Sequence, residues 1–198
     1  DYTPYSLVIA FQTEIENNDI PVFYFWGNSS KSQSLDWLSF NAYNSDAAEV
    51  TSSVSPFSMF SIDKKWDKWL MQLPPLYSPL GSYTFNSDHQ VLFYQNIKGI
   101  STERPLLCFS NAKGVRQAGW GAEGIWKWRL FEYKQNKDHQ LFDELINKSI
   151  QFLAVKEDKR QFRVRFETKI YENEKFIIDA DLYNANYELV NDPEVSLK

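Results

Sequence analysis

Cysteine is nearly absent. Cys108 stands alone among 198 residues, so no internal disulfide can form and every paired-cysteine zinc spacing is excluded. One cysteine leaves the redox compartment open. Basic residues are not in excess either: 21 Lys+Arg stand against 26 Asp+Glu, for a formal net charge of -5, and the two signs are interspersed. With no basic stripe to neutralise a phosphate backbone, nucleic acid is not an expected partner. No run approaches the roughly 18 consecutive apolar residues of a membrane span. The opening "DYTPYS" lacks the charged and apolar regions of a signal peptide. The piece is therefore expected to be soluble, with any membrane attachment made through segments outside it. Histidine is also scarce. His89 and His139 both sit in an Asp-His-Gln tripeptide, and two histidines without a third clustered ligand make a poor metal site, so no metal and no cofactor is expected.

What the chain has in quantity is rings: aromatic residues make up 17% of it, with 7 Trp, 11 Tyr and 15 Phe. Large rings usually supply core mass. With 43% hydrophobic and 24% charged residues, the composition is that of a folded object with one well-filled core.

Apolar patterning predicts alternating strands and helices. "YSLVIAF" (5–11) and "IPVFYFWG" (20–27) read as buried strands, while 48–56 alternates like an exposed strand. Ile62, Trp66, Trp69, Leu70 and Leu73 share a helical face, with Ser61 as expected cap and Pro74-Pro75 as the stop. "GSYTF" and "QVLFYQNI" are expected to form a hairpin-like pair around "NSDH". "RPLLCFS" and "VRQAGW" read as further strands. A helix over about 124–134 shows two apolar rows, Ile125, Trp128 and Phe131, and Trp126, Leu130 and Tyr133, and is expected to lie between the sheet and another layer. Asp138 is a good cap for the next helix, in which Leu141, Phe142, Leu145, Ile146, Ile150 and Leu153 repeat with helical period. After the charged break "KEDKR" (156–160) the pattern turns to strands, placing a domain boundary between residues 158 and 159.

"GWGAEG" (119–124) matches Gly-x-Gly-x-x-Gly, which in a dinucleotide-binding fold follows the first strand of a βαβ unit and precedes an acidic residue about 20 positions on. Here it comes late, the position about 20 further on falls near His139, and Trp120 and Glu123 put a bulky ring and a negative charge where a pyrophosphate would approach. The expected role of Gly119, Gly121 and Gly124 is a tight turn that lets the ring-rich helix seat against neighbouring main chain.

That stretch also carries a family resemblance. "GWGAEGIWKWRLFEY", "HQLFDELINKSIQFLAVKEDKRQFRV" and "YENEKFIIDADLYNANYELVNDPEVSL" resemble the class I glutamine amidotransferase-like domain of large bacterial membrane-anchored proteins, described as von Willebrand factor A-like or aerotolerance-regulator-like. The resemblance extends to "SLVIAFQ", "IPVFYFWG" and "FSMFSIDKKWDKWLMQLPPLYSPLGSY", and its strongest matches are Gly121, Glu123, Gly124, Trp126, Trp128, Arg129 and the hinge "VKEDKR". It implies an α/β, flavodoxin-like sheet flanked by helices over residues 1–158, lacking its first part. A short all-β appendage at 159–198 would open an immunoglobulin-like sandwich. It also implies a periplasmic setting, with spanning helices elsewhere in the parent.

The residues do not support the enzyme in that family's name. An amidotransferase nucleophile sits on a strained strand-to-helix turn with a histidine in reach. Cys108, inside "PLLCFS", reads as a buried thiol, leaving Cys108, His89 and His139 only as weak catalytic candidates. Arg129 is expected to pair with Glu123 or Glu132, or to lie over an indole face. Asp143 and Glu144 are adjacent and diverge on a helix; Asp179 and Asp181 share one strand face, read as solvated rather than as a calcium site. Asn28-Ser29-Ser30 and Asn147-Lys148-Ser149 fit the glycosylation pattern, which a bacterial origin makes irrelevant. Two functions follow. The first is a non-catalytic module acting through an unidentified protein partner, with the C-terminal strands packed on the α/β domain or paired with a second copy. The second is an enzyme or small-ligand site at the strand ends, around Gly27 and Asn28 and Gly119 to Gly124, drawing on Asn28, Gly121, Glu123 and Arg129.

Overall fold

The computed structural model describes residues 5–12, 20–27, 32–112, 114–154, 162–166, 175 and 178–182. The chain divides into two compact units, Asp1–Lys156 and Glu157–Lys198. In the first, strands β1 (Val8–Phe11), β2 (Val22–Phe25), β3 (Ser32–Ser34), β4 (Leu38–Val54), β5 (Leu76–Phe85), β6 (His89–Ile97), β7 (Ile100–Ala112) and β8 (Val115–Trp120) form an eight-stranded sheet, accompanied by helices α1 (Lys65–Leu70), α2 (Trp126–Asn136) and α3 (Gln140–Ala154). The fold class is α/β, with strands dominant. The second unit holds β9 (Phe162–Phe166) and β10 (Ile178–Leu182), an antiparallel pair whose register sets Asp179 opposite Arg165 and Asp181 opposite Arg163.

The strand order is β1-β2-β8-β7-β6-β4-β3, with β5 also on β4. β1, β2 and β8 run parallel, and the remaining pairs are antiparallel. β4 is long enough to serve two sets of neighbours: residues 51–54 pair with β6, whereas 38–42 and 47–50 pair with β5 and 39–41 also with β3. The expected hairpin of "GSYTF" with "QVLFYQNI" is therefore not formed. β5 and β6 follow each other in sequence but each lies against β4. The turn-like residues between them announce a break, not a partner.

Side-chain alternation separates two cores. Phe23, Leu107, Phe109, Ala118 and Trp120 belong to one cluster with Trp66, Trp69, Trp128, Phe142, Leu145 and Leu153 of the three helices. Val22, Tyr24 and Cys108, their neighbours along the same strands, belong to another with Trp26, Trp37, Leu38 and Phe40. Successive residues on a strand point to opposite faces, so helices cover one face of the β1-β2-β8-β7-β6 layer, and the β3-β4-β5 segment with Trp26 covers the other. Strands buried on both faces read as unbroken apolar runs, which is why "VFYF" and "PLLCF" carry so little polar alternation.

The helices differ in detail from their sequence patterns. α1 is one short stretch, with Lys64 at its cap position and Asp63 Oδ1 accepting from Lys65 N at 2.9 Å; Ser61 is not the cap. α3 begins as expected, Asp138 Oδ1 accepting from Gln140 N at 3.3 Å. α2 buries only one of its two rows: Trp128 is inside, whereas Trp126, Leu130 and Tyr133 are exposed. The His139 ring and the Lys137 ammonium lie on Tyr133, but all three residues of the row stay at least half exposed, so no second layer of described residues sandwiches α2.

Candidate functional site

The parallel strands β1, β2 and β8 end side by side, the place where open α/β sheets bind ligands. Gln12 follows β1 with φ 51°, Trp26 and Gly27 follow β2, and residues 121–124 follow β8. Trp26 N donates to Trp120 O at 3.1 Å and Gln12 N to Phe25 O at 2.8 Å, extending the parallel pairing past the strand ends. These elements bring Gly27 and Glu123 together, two candidates 96 positions apart. Gln12 Nε2 donates to Glu123 Oε1 at 3.3 Å, and a Cβ on Gly27 would overlap the Glu123 side chain and come 2.7 Å from Gln12 Nε2. The strand-end position is thus occupied by the chain's own carboxylate. Asn28 lies outside the described residues, as do Ser29, Ser30 and the "VKEDKR" hinge.

Trp26 explains Gly119 and Gly121. A Cβ at 119 would stand 2.6 Å from Cζ3 and 2.7 Å from Cη2 of that indole; a Cβ at 121 would stand 3.0 Å from its Cζ2 and Nε1. Real Cβ atoms essentially never pack as closely as the contact at 119 and seldom as closely as that at 121, so the missing side chains leave the space that the ring fills. The ring lies on the face away from the helices, so the expected reason for these two glycines is corrected: they seat Trp26, not the ring-rich helix. That helix meets the other face, where Trp128 packs edge-on against Trp120 at 5.4 Å. Gly124 has a separate reason, φ 92° at the turn into α2, a backbone shape that only glycine adopts freely.

Several main-chain groups of this segment are already engaged. Gly121 N donates to Leu106 O at 2.9 Å, Tyr77 and Glu123 exchange both backbone hydrogen bonds, at 3.1 and 2.7 Å, and Ser78 Oγ donates to Gly121 O at 2.6 Å. Amides bonded in this way do not point at a phosphate. Around the rim, Lys127 Nζ stands 4.4 Å over the Tyr77 ring. Tyr77 donates to Glu49 Oε1 at 3.0 Å, and this hydrogen bond and the Glu49 charge raise the phenol above its ordinary pKa.

Each of the catalytic candidates is already engaged with other groups. Cys108 is fully buried in the second cluster, its thiol 3.7 Å from Gly119 O, and burial raises its pKa far above the ordinary thiol range. His89 stacks on Phe85 at 3.5 Å with Nδ1 bonded to Ser87 O; His139 stacks on Tyr133 at 5.1 Å with Nδ1 bonded to Arg129 O. Arg129 pairs with Asp143 at 3.5 Å, which corrects its expected pairing with Glu123 or Glu132. Glu132 is instead buried and accepts from Leu141 N and Phe142 N, each at 2.8 Å. Glu144, diverging from Asp143 as expected, joins Lys65 at 3.2 Å and Lys148 at 3.0 Å. No group of three or more His, Cys, Asp or Glu is placed to hold a metal among the described residues.

Gln12, Trp26 and Tyr77 complete the locus without any local signal to nominate them, because each reaches residues 119–124 across the sheet rather than along the chain. The class that these observations define is an α/β domain with its strand-end position filled from within. Comparison with protein-family models, with curated proteins and with solved structures found no match in any of the three.

Proposed function

We propose that this chain is a non-catalytic interaction module: an amidotransferase-like, flavodoxin-like α/β domain followed by the first strands of an immunoglobulin-like sandwich, from the periplasmic part of a bacterial membrane-anchored protein. The observation that carries the non-catalytic reading is the state of Cys108. A nucleophilic cysteine works as the thiolate and needs an electropositive, accessible setting, and this one is fully buried in an apolar cluster with Trp26 and Val91. The parallel β1-β2-β8 core supports the flavodoxin-like kinship, and the membrane-anchored, periplasmic setting follows from the family resemblance. The contact surface is the β1 edge. Among the described residues β1 ends the sheet and carries exposed Ile9 and Phe11, and an apolar strand edge is a template for strand addition by another polypeptide.

Incubation with glutamine tests the first part: no ammonia should appear, and iodoacetamide should label Cys108 only after denaturation. Ammonia release that disappears in Cys108→Ser would overturn the reading. For the edge, a photo-cross-linking residue in place of Ile9 in the parent protein should capture a polypeptide, and Phe11→Lys should abolish the adduct.

A second reading, a small-ligand site at Gly27 and Gly119 to Gly124, has one observation in its favour, the convergence of Gln12, Gly27 and Glu123. It would gain from any small polar cation that raises the melting temperature of the wild type and not of Glu123→Ala.

A further inference from the structure

We propose that the outward face of α2 docks on the headgroup region of an anionic lipid bilayer. Trp126, Leu130 and Tyr133 stand at i, i+4 and i+7, on one face of the helix, and are 60%, 56% and 50% exposed. Trp128, on the opposite side, is locked in the core against Trp69, Phe93 and Trp120, so the helix cannot roll to hide the outer row.

Charge completes the face. Lys127, Lys134 and Lys137 flank the apolar row, and none has a carboxylate partner among the described residues; Lys127 and Lys137 lie instead over the Tyr77 and Tyr133 rings. Glu132, the one acidic residue of α2, is turned inward to the start of α3. A chain of net charge -5 thus presents one helix face that is apolar at its centre and cationic at its rim, complementary to a negative surface.

The composition favours lipid over protein. Lysine is depleted at protein–protein interfaces, where arginine is enriched. On interfacial helices lysine is common, its long stem lying along apolar surface while the ammonium stays among the headgroups. Trp and Tyr favour the same boundary. At 11 residues α2 is about 16 Å long, and no helix among the described residues is long and apolar enough to cross a membrane, so α2 would lie in the surface plane. The remainder of the acidic chain is repelled by such a surface, which makes the contact local and weakened by salt.

The test mixes the full chain with sedimentable vesicles of phosphatidylglycerol and phosphatidylcholine in equal parts, or of phosphatidylcholine alone, at low ionic strength, with brominated acyl chains as quencher. Six of the seven tryptophans are buried, so quenching reports Trp126. The chain should pellet with the anionic vesicles and not the neutral ones, with Trp126 quenched. Lys127→Glu/Lys134→Glu/Lys137→Glu should weaken the association by at least on the order of 100-fold. Trp126→Ser/Leu130→Ser should keep its melting temperature and lose the association. No pelleting with anionic vesicles overturns the proposal, and so does pelleting that the triple variant retains. An acidic peptide that binds this face when vesicles do not would assign it to a protein partner and overturn it equally.

Discussion

A methyl group on Gly119 would place a carbon 2.6 Å from the Trp26 ring and 3.4 Å from Cys108 Sγ, in a strand fixed between two others, β2 and β7. Overpacking of a filled core costs about 1–3 kcal/mol, and Gly119→Ala is expected to lose that much in urea unfolding. Gly124→Ala is expected to cost about 1–2 kcal/mol by a different route, the left-handed backbone at φ 92°, and that loss should persist whatever residue stands at 26. The glycine pattern was legible in the sequence, and so was the Glu123 charge, which stands at the strand ends; Trp120 instead lies in the core against Trp128. What filled the space was not legible. Trp26 and Gly119 are 93 positions apart, and a ring next to Gly27 reads equally well as the end of a buried strand.

At the scale of elements, α2 and α3 show how much periodicity can say. The spacing from Leu141 to Leu153 finds α3 and its core face, because one apolar stripe opposite a charged face has one solution. α2 has two rows of rings, and spacing alone cannot say that one is buried and the other bare. The join between the helices was also invisible: Glu132 is 1% exposed and caps the first turn of α3 from the neighbouring helix, whereas cap signals in sequence come from the residues just before a helix. A carboxylate accepting two amides at a helix N-terminus is favoured by both hydrogen bonding and the helix dipole. Glu132→Gln keeps the shape but leaves one oxygen to serve two amides, and should destabilise the chain by about 1–3 kcal/mol; an unfolding midpoint equal to that of the wild type would refute the role.

Over the whole molecule, the sheet is where sequence reading stopped short. Most strands were legible from apolar runs, and β8 was placed at its boundaries because Gly114 and Gly121 flank it; β3, the polar "SQS", and the first half of β4 carry no such run and were not read as strands. Pairing was not legible, since β4 passes from one set of partners to another and no local turn encodes that. Stability against pH is also a property of several elements at once. Partial burial alone would raise the Glu144 carboxyl, but hydrogen bonds and charges from Lys148 on α3 and Lys65 on α1 outweigh it and hold the pKa below its ordinary value. Asp63 is lowered as well, first by its bond from the Lys65 amide. A carboxyl lowered in the folded state stabilises above its unfolded pKa, about 4 for these side chains, and that contribution is lost as pH falls through the folded value. The urea midpoint should therefore drop below about pH 4, and drop less in Glu144→Gln; an identical acid profile in that variant would remove Glu144 from the account.

The central claim is that the glycine-rich segment after β8 makes room for a ring of the same chain. A double-mutant cycle tests it directly, with urea unfolding of the wild type, Gly119→Ala, Trp26→Leu and the pair. The account predicts that the alanine, costly beside tryptophan, becomes nearly neutral beside leucine, a coupling of about 1–3 kcal/mol. Equal cost in both backgrounds would mean that Trp26 is not what position 119 accommodates.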